Sequence, residues 1–569
     1  VIHSRPVTSP GYTRDLAAPG DDAIKPQPVA LPAGFDRPQI VRLPDGSLEG
    51  YRFLEPCEPH EKLGRILSPD NGVTWSEPQP VVRIGADSGH WGSVTAVADR
   101  EGEVHLAMMN DRFSGVFGEP PEGQELVTTG PSHGRWIDVW HMRSSAGRTT
   151  WNHPQLIWRG FTGSINSAIQ TSKGRIVVPF GWETGQSWTQ RADGFDAFHF
   201  HGSEYSTVMY SDNGGASWAQ GTLDIKAWAP ITGFGAIEPV IIELQDGRVW
   251  MLIRTQNGRL YESFSDDGAT WSVAQPTRLV SSDSPVGMVR LSDGRLILLW
   301  NCCQRYAYAY GGRHVLHGAV SDDDGQTWRG RREVARDPRR DEPPPEGGDF
   351  GTAYPSPVAT IDDHVIFATG QGEGRTMAMR LDPAWLDETS HASDFSDGLD
   401  DWSVFGTQGV QLREHPDRSD ARALHIRKEL PGATAAAVWN FPAGRVGTIT
   451  LRVRLDAGAG PFRISLTDHF STPFDDQDQF HNTFNLPIEA GGGIGTLGGL
   501  EPDRWHDLDL AWDTVDQRRC AVRADGHEVA TLAQEHATDG VNYLRVVSTA
   551  ASRQGGGLWL ESAAVEANP

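Results

Sequence analysis

The chain of 569 residues is long enough for two to four domains and a sizeable buried core. Its formal net charge of −25, with no run of Lys or Arg, argues against nucleic acid or an anionic membrane surface as partner. The four cysteines, Cys57, Cys302, Cys303 and Cys520, fit neither a disulfide framework nor a zinc spacing, and no apolar run reaches the ~18 residues of a membrane-spanning helix.

Residues 1–29 read as an N-terminal extension with no legible leader peptide at Val1. Phe35-Asp36-Arg37-Pro38 then leads to LPDGSLEGY at Leu43, a polar turn entering an apolar strand. Related copies begin at Asp99, Thr171, Leu244, Leu291 and Ile361, six in all. Asp-Gly between apolar runs predicts a hairpin, because type I′ turns need positive φ. A second repeat runs out of phase with the first: SPDNGVTW at residues 68–75, a worn SSAGRTTW at 144–151, SDNGGASW at 211–218, FSDDGATW at 264–271 and SDDDGQTW at 321–328. Its Asp is expected to accept backbone N–H bonds inside a turn, its Gly to allow positive φ and its Trp to cover apolar surface. Asn213 and Ala146 stand in the acidic region of two copies, which a turn tolerates and a catalytic carboxylate would not. Two polar connections, 109–136 and 182–201, exceed ordinary loop length and are candidate lids.

Six hairpins with five boxes predict a six-bladed β-propeller over residues 30–388, its last blade closed by strands from both ends of the region. After Trp385-Leu386 the boxes stop and alternating strands begin, so residues 389–569 are expected to form a β-sandwich of jelly-roll type. The fold class is therefore all-β. Of the 20 Trp, Trp402, Trp439, Trp505 and Trp512 are expected in the sandwich core rather than on a sugar-binding face.

The repeated boxes resemble the Asp boxes (BNR repeats) of the sialidase (neuraminidase) superfamily, over about two-thirds of the chain. The second domain resembles the concanavalin-like or laminin-G-like domains appended to carbohydrate enzymes. The first resemblance implies site residues. A family Glu opens a strand and an Arg ends the next, matched by Ile237-Glu238-Pro239 and Leu252-Ile253-Arg254. A further Arg precedes a later box, matched by Arg313, eight residues before Ser321. The family's nucleophilic Tyr opens the last blade, matched by Tyr354 in Thr352-Ala353-Tyr354-Pro355. The roles implied are Tyr354 as nucleophile, Glu238 as its base, and Arg254 and Arg313 on the substrate.

Two places depart from the family pattern. Aligned on Pro38, Asp36 stands where the family has the first of three substrate-gripping arginines, and Arg37 is its neighbour. Consecutive strand residues face opposite ways, so Asp36 is expected in the pocket and Arg37 outside it, unless a bulge returns it. The family's acidic Asp is also missing from the loop before the first box. Glu58 is the first candidate for the general acid, with Glu55, His60 and Asp87 as alternatives. His90 and Trp91, in Asp87-Ser88-Gly89-His90-Trp91, are candidates for a further acid or base and a stacking ring.

The reading is an exo-acting, retaining glycoside hydrolase acting on a terminal sialic acid or another sugar, with no metal or cofactor. The expected partner is an oligo- or polysaccharide end, outside the cell, with no membrane insertion. Two other readings stand beside it: a polysaccharide lyase using His90, Tyr354 and the arginines on a uronate, and a non-catalytic carbohydrate-binding propeller.

Overall fold

The structure, a computed structural model, describes residues 24–54, 62–83, 90–111, 137–183, 204–227, 235–303, 312–342, 350–406, 409–472 and 478–568. At residues 62, 82, 83, 90, 478 and 479 it describes the backbone alone. Six four-stranded antiparallel sheets follow one another along the chain. The first comprises Gln39–Arg42, Leu48–Leu54, Lys62–Ser68 and Gln79–Arg83. The next four begin at His90–Ala98, Ile169–Gln170, Ile237–Glu243 and Gly287–Arg290. The sixth takes Ser356–Ala359, Val365–Thr369 and Met377–Leu381 from one end of the region and Gln27–Pro28 from the other. Residues 27 and 28 thus belong to the last blade rather than to an N-terminal extension. The sixth sheet has only three strands of its own, and Gln27–Pro28 completes its edge.

Apolar side chains fill each junction between neighbouring blades. Tyr51 and Leu63 meet Leu106 and Met108 between the first and second, and Ile40 and Leu48 meet Ile366 between the first and sixth. The latter contact closes the ring.

Each blade is a meander, so its first and third turns share one end and its second turn lies at the other. The Asp-Gly hairpins are first turns and the Ser-to-Trp boxes are third turns, so both repeats occupy the same end. In the boxes Asp70 accepts from Thr74 N at 2.9 Å and Thr74 Oγ1 at 2.6 Å, and Asp323 accepts from Thr327 at 2.8 and 2.6 Å. Asn213 does the same work, accepting from Ser217 N at 2.9 Å and donating Nδ2 to Ser217 Oγ at 2.8 Å. The boxes are structural turns, and the opposite end of the ring is left for chemistry.

A 3₁₀ turn, Pro383–Asp387, leads to two further sheets that enclose one core containing Trp402, Trp439 and Trp512. Trp505 lies outside that cluster, half-buried and stacked on His415. In Val446–Leu455 burial alternates residue by residue, as the period of a one-sided strand requires. Ala436–Gly444 is instead buried throughout. One side of it carries Trp439 and Phe441 into the sandwich core, and the other, with Ala436 and Val438, joins Cys303, Val315, Phe405, Phe470 and Tyr543 in a second cluster against the propeller.

Polar groups cross that junction in bonded chains. Tyr543 donates to Glu333 Oε1 at 2.7 Å, and Glu333 also pairs with Arg336. Arg336 reaches the sandwich through Asp400 O at 2.8 Å. His317 Nδ1 accepts from Cys302 N at 3.3 Å, so Nε2 carries the proton and donates to the Tyr543 oxygen at 2.7 Å. Burial holds the His317 imidazole neutral, pushing it down to about 3. The thiols Cys302, Cys303 and Cys520 are all buried. No helix among the described residues is long and apolar enough to cross a membrane.

Candidate active site

Tyr354, Glu238, Arg254 and Arg313 converge at the end of the ring opposite the boxes. Glu238 sits at a bulge: Ile237 pairs with Arg254 and Val240 with Leu252, so Glu238 and Pro239 together oppose Ile253 alone. Pro239 has no N–H to give the ladder, which suits a bulge. Glu238 has φ 49° and Tyr354 φ 59°, left-handed conformations that cost a non-glycine residue roughly 1–2 kcal/mol each. Gly351, at φ 77°, brings the Tyr354 segment against Arg313: a Cβ there would fall 2.0 Å from Arg313 O. Thr352 N donates to the same carbonyl at 2.7 Å.

Tyr354 OH donates to Glu238 Oε1 at 2.7 Å. Arg254 Nη1 donates to Glu238 Oε2 at 2.6 Å and to the Tyr354 oxygen at 3.2 Å. Arg254 Nε donates to Asp283 Oδ1 at 2.6 Å, and Gln256 Nε2 to Asp283 Oδ2 at 2.7 Å. Glu238, Arg254, Asp283 and Arg313 are all buried. Burial raises the Asp283 carboxyl, but the Arg254 charge, with the bonds from Arg254 and Gln256, outweighs it and holds the group below its usual range. Burial likewise opposes the Arg254 charge, and Asp283 and Glu238 outweigh it, holding the guanidinium well above its ordinary value.

A family model for the BNR repeat-like domain matches residues 81–366. This chain belongs to that family. Among curated proteins none matches. Of the solved structures it is similar to, a Dyadobacter fermentans protein of unknown function is 15% identical at a TM-score of 0.45, over 63% of this chain and 96% of that one. Trypanosoma rangeli sialidase, in a complex with 2,3-difluorosialic acid described as a covalent intermediate, is 14% identical at a TM-score of 0.41, over 93% of this chain and 91% of that one.

Around this quartet the BNR propeller departs from the sequence expectation in three ways. Asp36 does not face the pocket: it is exposed and pairs with Arg52 and Thr376. Arg37 turns inward instead, its Cζ 5.8 Å from the Tyr354 ring centre and its Nη1 on Gly370 O at 3.0 Å. The alternation rule fails because Asp36 and Arg37 lie in a bend, with the strand starting only at Gln39. Trp91 is no stacking ring: it is 2% exposed and packs edge-on against Trp140 between the first two blades. Glu58, Glu55, His60 and Asp87 lie outside the described residues, as do most of the two candidate lids, and His90 is described by backbone alone.

The acidic residues Asp283, Glu183 and Glu204, close to the quartet, were not singled out in the sequence. Asp283 lies in a polar run, Ser281-Ser282-Asp283-Ser284, which was its only cue. Glu183 and Glu204 flank the 184–203 insert and are cross-strand partners, placing two carboxyls side by side. Burial first, then the neighbouring Glu183 and Glu238, pushes the Glu204 carboxyl well above its ordinary value. The folded state therefore holds the Glu204 proton more tightly than the unfolded chain, and the contribution of Glu204 to stability falls as pH rises above about 4.5. Glu204→Gln removes that dependence. Its melting temperature relative to wild type is expected to climb steadily between pH 4.5 and 8 in a thermal-shift series; a wild type that gains on the variant over that range would contradict the assignment.

Asp99, Glu103 and His105 bring potential metal-ligand atoms within 4.8 Å of one another. They lie at the hairpin end, away from Tyr354. Asp99 already accepts from Glu103 N at 2.8 Å and bonds His105 Nε2 at 3.2 Å, so its oxygens serve the turn.

Proposed function

We propose that this BNR propeller is a retaining glycoside hydrolase of the sialidase type. The Tyr354–Glu238–Arg254 triangle carries the reading. A free phenol ionises near pH 10 and is a weak nucleophile at neutral pH. Glu238 Oε1 is placed to take the Tyr354 proton, and Arg254 Nη1 to stabilise the phenolate left behind. The phenolate oxygen attacks the anomeric carbon as the bond to the leaving oxygen breaks, and a general acid protonates that oxygen. Glu58 is the first candidate for this acid, and Glu55 the second. Water then attacks the anomeric carbon of the glycosyl–tyrosine as its bond to the Tyr354 oxygen breaks, the acid now acting as base and Glu238 returning the proton to the phenolate, so configuration is retained. Glu238 and Tyr354, the two residues that exchange the proton, both hold left-handed backbone, which fits strain held for pre-organisation.

The partner in this reading is a carbohydrate end. The test is release of the aryl group from a panel of aryl glycosides, comprising sialosides and neutral hexosides and pentosides, with a uronate oligomer watched for unsaturation. Wild type is expected to hydrolyse at least one glycoside and Tyr354→Phe none. Glycan binding without turnover of any member would favour the non-catalytic reading, and an unsaturated product the lyase.

A further inference from the structure

We infer that Asp283 sets the substrate class: it occupies the two buried arginines beside Tyr354, so the site takes a glycone without a carboxylate, recognised through its hydroxyls. This rests on the hydrolase reading for the position of the glycone, and on the bonding of Asp283 for its chemistry.

A guanidinium grips a carboxylate through two nitrogens on one edge, either Nε with one terminal nitrogen or the two terminal nitrogens together. In Arg254, Nε is on Asp283 Oδ1, and Nη1 is shared between Glu238 Oε2 and the Tyr354 oxygen. Every two-nitrogen edge therefore includes a nitrogen already engaged by an internal acceptor. In Arg313, Nε and Nη2 both donate to the Asp283 carbonyl, at 3.2 and 2.9 Å, and Nη1 donates to Gln371 Oε1 at 3.0 Å. One residue thus holds one arginine with its side chain and the other with its backbone. A substrate carboxylate would have to displace an internal one that is 4% exposed and also bonded by Gln256.

The remaining cation, Arg37, faces the Tyr354 ring with its Nη1 held by Gly370 O at 3.0 Å; the other groups around the two arginines favour hydroxyls. Glu238 and Asp283 already balance the Arg254 charge. Gln256, 8% exposed, keeps an Oε1 with no partner among the described residues. Carboxyl and amide oxygens accept from sugar hydroxyls and repel a carboxylate.

The test compares binding of 2,3-dehydro-sialic acid and its methyl ester to the full-length wild-type chain by calorimetry. The inference predicts that the acid binds no more than threefold tighter than the ester, or that neither binds detectably at millimolar concentration. An acid preference of tenfold or more overturns it. Asp283→Ala removes the acceptor from Arg254 Nε and is expected to tighten binding of the acid at least tenfold without tightening the ester; an unchanged acid affinity in a folded variant also overturns it. The two readings fail separately. Turnover of an aryl sialoside that is lost in Tyr354→Phe sinks this inference and leaves the hydrolase. Turnover that persists in Tyr354→Phe sinks the Tyr354 mechanism, while the acid-to-ester ratio still reports on Asp283.

Discussion

Tyr354→Phe is expected to lower kcat on an activated aryl glycoside by about 10³-fold or more, with KM changed little. The substitution keeps the ring, and with it the contacts to Arg37 and Arg313, whose guanidinium carbons each lie 5.8 Å from the ring centre. The ion pair between Arg254 and Glu238 also remains. What disappears is the oxygen that attacks the sugar and the proton that Glu238 takes. An effect confined to KM would mean that Tyr354 only lines the pocket. A loss in kcat below tenfold would place the nucleophile elsewhere.

The second large effect is expected at the domain junction. Glu333 is 6% exposed and is held by Tyr543 from the sandwich and by Arg336 from its own strand. Arg336→Met leaves that carboxylate buried with its cationic partner gone, a change that costs about 3 kcal/mol. Glu333→Gln in the same chain removes the stranded charge and keeps an acceptor for the Tyr543 hydroxyl. Urea unfolding is expected to show the double variant recovering most of the stability that Arg336→Met loses. A double variant no more stable than the single would mean that the ion pair does not hold the junction.

The parts of the fold that were legible in the sequence are those written in local turns. Asp-Gly hairpins and Ser-to-Trp boxes carry their own bonding partners within four residues, as Asp70 with Thr74 and Asn213 with Ser217 do, so each copy reads independently of the rest. The BNR repeats and the all-β fold followed from them. Tyr354, Glu238, Arg254 and Arg313 were named through the resemblance to the sialidase superfamily, whose site residues have counterparts at these places between the turns. Asp283 was not, because its meaning comes from Arg254 and Arg313, one on the blade before it and one on the blade after, and no short-range pattern links the three. Asp36 and Arg37 were read in reverse because a period of two applies only once the strand has begun, and here it begins at Gln39. Trp91 is the second residue of a strand at a blade junction, where a large ring fills core, and the neighbouring His90 made it look like part of a site.

The central claim is that Tyr354 forms the covalent bond to the sugar. The most direct measurement is mass spectrometry of the chain after reaction with a 2-deoxy-2-fluoro glycosyl fluoride of whichever glycone the aryl panel identifies. The fluorine at C2 destabilises the positive charge that builds at the anomeric carbon, so the intermediate accumulates. The prediction is one added glycosyl mass per chain, on the peptide that contains Tyr354, absent in Tyr354→Phe. The same mass on a peptide carrying Glu238, or on any carboxylate, would contradict it and make this a glycosidase of the two-carboxylate kind.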